Sequence, residues 1–105
     1  MDKVPATGPP GIEKDLGMVA DGIETLSDLV SDPEKAEDGV RVYDFSIRWG
    51  VLLSGRLERL EYYYRAGELT EEQERGYRKL RRALKEAVPH MQRLGVGRPT
   101  VPLED

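Results

Sequence analysis

The 105-residue chain contains no cysteine. That absence excludes disulfides, a thiolate nucleophile and thiolate metal ligation. There is one histidine, His90, so a single chain cannot assemble an imidazole cluster. No apolar run approaches the ~18 residues that cross a bilayer, which predicts no membrane segment. The start, Met1-Asp2-Lys3-Val4-Pro5, lacks the basic n-region and apolar core of a signal peptide. The expectation from these absences is a cytoplasmic protein.

Chemistry-bearing motifs are equally scarce. Neither GxxxxGK nor GxGxxG occurs, and Gly95-x-Gly97 follows a helical pattern rather than a strand. The four serines (Ser27, Ser31, Ser46, Ser54) lie in no nucleophile-elbow pattern. Asp32, Glu34, Glu37 and Asp38 lack the ordered spacing and the glycine of a calcium loop. His90 has no nucleophile or orienting acid in its pattern, and its place near a helix end suits the helix dipole. The sequence therefore points to no catalytic residue, no cofactor and no metal, and the expectation is a protein that is not an enzyme.

Charge is abundant and unevenly placed. Charged residues make up 34% of the chain, with a net charge of -4. Residues 1–40 carry 10 acids against 3 bases, whereas residues 41–98 carry 13 bases against 8 acids. Such asymmetry signals either complementary halves of one fold or a polyanion-binding surface.

Residues 1–11 hold three prolines and two glycines and read as a flexible leader. Ile12, Leu16, Val19, Ile23, Leu26 and Val30 then form a seam at helical spacing, predicting a helix over 12–31 that stops before Pro33. Glu13, Lys14, Asp15, Asp21, Glu24 and Asp28 lie between them, on the face expected to meet water. Gly17 and Gly22 weaken this helix, which implies close packing or marginal stability. Residues 31–39 read as a charged loop.

Residues 40–50 support two readings. Tyr43, Phe45, Ile47, Trp49 and Val51 alternate with polar or small residues, which is a strand pattern. The same residues run without a break into Leu53, Leu57, Leu60 and Tyr64, which is helical. A lone strand has no good pairing partner, because Pro99 and Pro102 interrupt the tail. The helical reading is favoured, over 44–66 with Asp44 as N-cap and Gly67 beyond its end. Thr70 and Gln73 form a capping box for a helix over 71–94 that Gly95 ends, with Pro89 inside it. Residues 95–105 read as an extended tail. The expected fold is all-α: a single domain over 12–94 with three helices, the last two a long antiparallel hairpin, and flexible arms at both ends.

Two surfaces are candidates for function. Trp49, Leu53, Tyr62 and Tyr63 place large apolar and aromatic groups on more faces of the second helix than one core can use. That surplus implies a protein partner or a homodimer, with these residues as its interface. Arg78, Arg81, Arg82 and Lys85 recur at i, i+3, i+4 and i+7 and would form a polyanion ridge, which Arg56 and Arg59 could extend. The functional expectation is a small adaptor, accessory subunit or regulator; a nucleic-acid-binding module is the alternative.

Overall fold

The computed structural model describes residues 7–104, and the first half of the leader lies outside the described residues. All the regular structure among them is helical: α1 (Ile12–Ser31), α2 (Pro33–Glu37), α3 (Gly39–Val51), a π-helical segment (Leu52–Leu57), α4 (Glu58–Arg65) and α5 (Glu71–Leu94). The bounds of α1 and α5 coincide with the sequence expectation. Short polar side chains start three of the helices. Asp32 accepts from the Glu34 amide at 3.0 Å, and Pro33 occupies the first turn of α2, where its missing N–H costs nothing. Asp38 accepts from the Arg41 amide at 3.2 Å. Thr70 and Gln73 form both bonds of the capping box.

Residues 40–50 are helix, not strand, and the helix begins at Gly39 rather than Asp44. The N-cap is Asp38, and the expected loop over 31–39 contains the single-turn α2. The apparent alternation has a simple cause. A two-residue step turns an α-helix by about 200°, so two stripes of four-residue spacing on opposite faces interleave. Phe45, Trp49 and Leu53 point into the core, while Tyr43, Ile47 and Val51 point out.

The π segment follows from the same spacing. The inward residues 45, 49, 53 and 57 advance by fours, and three such steps swing the stripe about 120° around a regular α-helix. Wider π turns cancel that drift, so Leu53, Leu57 and Leu60 all stay buried.

The three long helices pack up, down and up. The start of α1 meets the start of α5, where Glu13 accepts from Gln73 at 2.7 Å. Against these two runs the continuous α3–α4 helix in the opposite sense. Ile12, Val19 and Leu26 of α1 are buried with Tyr77, Leu84 and Met91 of α5 and with Trp49, Leu57 and Leu60. Leu16, Ile23 and Val30 are only partly buried. Gly22 is a close-packing glycine: a Cβ there would lie 2.8 Å from Leu52 Cδ1 and 3.0 Å from Trp49 Cζ3. Gly17 has no neighbour within 4 Å of that position.

Beyond Gly95, in the left-handed conformation at φ 70°, the extended tail turns back along the bundle. Val96 is buried, Val101 and Leu103 pack against the core, and Lys85 reaches Glu104 at 2.5 Å. No helix among the described residues is long and apolar enough to cross a membrane.

Candidate interaction surface

The interface proposed from sequence divides between the inside and the outside of the molecule. Trp49 is 0% exposed. Its ring stacks on Phe45 with 5.6 Å between centroids, and its Nε1 donates to the Gly97 carbonyl at 2.8 Å. Leu53 is also buried. Neither residue is available to a docking partner in this fold, so the sequence assignment of both is corrected. They lie on the inward stripe, and Trp49 ties the tail to the bundle. Tyr62 does face solvent, and Tyr63 is half-buried beneath it, the two rings meeting edge to face at 5.2 Å. The Arg59 guanidinium lies over the Tyr63 ring.

The outward face of α3 carries what the sequence argument sought. Val40, Tyr43, Ile47 and Val51 follow one another at steps of three, four and four, and each is between 54% and 74% exposed. Beside this stripe, a groove of about 660 Å³ opens between α3 and α1. Its floor holds Leu29, Phe45, Trp49 and Leu52, and Ile47 and Val51 are shared with the stripe. Asp44 and Arg48 are exposed along the groove side of the stripe. A face this apolar on a chain this polar is characteristic of association surfaces.

The expected basic ridge on α5 is not continuous. Arg81 is 3% exposed, against expectation, with its guanidinium over the rings of Tyr64 and Tyr77 and a bond to the Tyr64 hydroxyl. Arg78 also reaches that hydroxyl at 3.2 Å and lies 3.8 Å from Glu74. Lys85 is held by Glu104. Of the four residues, Arg82 alone is exposed with no hydrogen bond or ion pair among the described residues. A helical wheel carries the reason: Arg81 falls between Tyr77 and Leu84 on the inward seam, not on the outer face.

Arg56 and Arg59 likewise serve the bundle rather than a ridge. Both donate to Asp15, Arg56 at 2.7 Å, and Arg59 also donates to the Pro10 carbonyl. Asp15, expected to face water, is buried. Its carboxylate is satisfied by two guanidinium groups from the π segment and α4, which is the condition for burying such a charge. Nearby, Gln73 is buried and donates to the Thr7 carbonyl at 3.1 Å and to Glu13, holding the Glu13 carboxyl below its usual range. At the same end of the bundle, burial pushes the Tyr77 phenol far above its usual range, and the Glu61 carboxylate 2.5 Å away adds to the shift.

Among the described residues, no group of three carboxylate, histidine or cysteine side chains is placed to hold a metal ion. The chain matches no known protein family, no curated protein and no solved structure.

Proposed function

We propose that this protein is a non-catalytic interaction module, an adaptor, accessory subunit or regulator, that works through the outward face of α3. One observation carries the reading. Val40, Tyr43, Ile47 and Val51 form an unpartnered apolar stripe on a helix whose opposite face already fills the core. Those four side chains lie outside the core cluster, and their exposure is unfavourable unless another surface covers them. The mode is a helix face laid against a partner, with the adjoining groove extending the contact. Tyr62 lies on α4, beyond the π segment, and is a peripheral contact at most.

Site-specific photo-crosslinking in the native cell tests this directly. A photoreactive residue in place of Ile47 should give covalent adducts with a protein. The same residue in place of Lys79, exposed on α5, should not. An absence of adducts at position 47, or equal yields from the two positions, overturns the assignment. The experiment does not presuppose which protein occupies the face.

A further inference from the structure

We propose that the occupant of the α3 face is a second copy of this chain, packed antiparallel across a twofold axis near residues 45 and 46. The proposal rests on the reading of that face as the interaction surface, and charge adds the choice of occupant. Asp44 and Arg48 flank the stripe on the same side, one turn apart, and both are exposed. Neither forms an ion pair with another described residue.

In an antiparallel pair of α3 helices, one register satisfies every group at once. Val40 faces Val51 of the second copy, Tyr43 faces Ile47, and Asp44 faces Arg48. Each contact occurs twice, as an isologous interface requires. A parallel pair would instead set this flank of each copy against the other flank of its partner, where Gly39, Ser46 and Gly50 offer no charge, and Asp44 and Arg48 would find no partner across the interface. The stripe is thus complementary to itself in one orientation and not in the other. Its extent limits its strength. A three-turn helix face is smaller than the ~800 Å² per partner of a standard interface, so the dimer is weak and concentration-dependent.

Sedimentation velocity on the full chain, from ~1 μM to ~1 mM, reads the association over the range such an interface implies. Wild type should move from 11.9 kDa toward twice that mass as concentration rises. Asp44→Arg leaves two positive groups on the flank, and Arg48→Asp leaves two negative ones. Each variant alone should stay at 11.9 kDa at concentrations where wild type has dimerised. Mixed in equal amounts, the two variants should recover the dimer, because each supplies the charges the other lacks. Circular dichroism confirms that both variants keep the wild-type helix content, since both positions are exposed.

A wild-type chain that remains at 11.9 kDa throughout overturns the proposal, as do variants that self-associate as well as wild type. If the chain is monomeric yet crosslinks through position 47 to a different protein, the second copy is excluded and the interaction face stands. If it neither dimerises nor crosslinks, both fall.

Discussion

Alanine substitution of two glycines on the same helix should have unequal effects on stability. Gly17 and Gly22 both lie inside α1, and replacing either with alanine removes the same backbone entropy penalty, about 1 kcal/mol. Around Gly17 the new methyl group meets nothing within 4 Å, so Gly17→Ala should stabilise by that amount. Around Gly22 the methyl would sit 2.8 Å from Leu52 Cδ1, 3.0 Å from Trp49 Cζ3 and 3.2 Å from Trp49 Cε3. The leucine tip can rotate away. The indole cannot: it is held by its bond to Gly97 and by stacking on Phe45. Overpacking a rigid neighbour costs about 1–3 kcal/mol, which cancels or exceeds the helix gain. The expected difference between the variants is therefore about 1–3 kcal/mol, with Gly22→Ala the less stable. Urea unfolding followed by circular dichroism measures it as a separation in midpoint at constant slope. Equal stabilisation by both alanines would show that α1 does not approach Trp49 as described, and the packing argument would fail.

Two further outcomes follow from the core. Trp49→Phe keeps most of the apolar volume and removes the bond to the Gly97 carbonyl, so it should cost about 1 kcal/mol and raise amide exchange over residues 96–101, read by mass spectrometry. The phenol of Tyr77 is raised in the folded state by burial and by Glu61, so its contribution is intact below the ordinary tyrosine value of 10.0 and is lost as pH rises beyond it. Wild type should therefore lose stability through alkaline pH more steeply than Tyr77→Phe, and identical slopes in alkaline urea titrations would refute this.

Much of the fold was legible because its signals are local. The ends of α5 are written in Thr70, Gln73 and Gly95, and those of α1 in the close of the proline- and glycine-rich leader and the approach to Pro33. The start of α3 was misplaced because two aspartates, Asp38 and Asp44, can each cap a helix, and only tertiary packing selects between them. Periodicity alone does not say which of two interleaved stripes faces inward, so in the sequence Trp49 and Leu53 read as a surface that in the fold belongs to Tyr43, Ile47 and Val51. Asp15 was hidden for a different reason. A carboxylate is buried only when cations from distant segments reach it, and Arg56 and Arg59 are 41 and 44 residues away. The inward turn of Arg81 was available, since its position between Tyr77 and Leu84 places it on the apolar seam.

The return of the tail along the bundle also fixes where the described chain begins and ends in space. Thr7 rests on Gln73, and Pro102 and Glu104 share a hollow with Glu74 and Arg78. Both ends thus converge on the opening turns of α5, while α2 lies toward the far pole. A short bridge joining them, with the chain reopened between Asp32 and Asp38, would preserve every long helix in a permuted order. The same convergence means that a label at Thr7 or Glu104 sits away from α2, so these positions suit immobilisation or labelling of this protein.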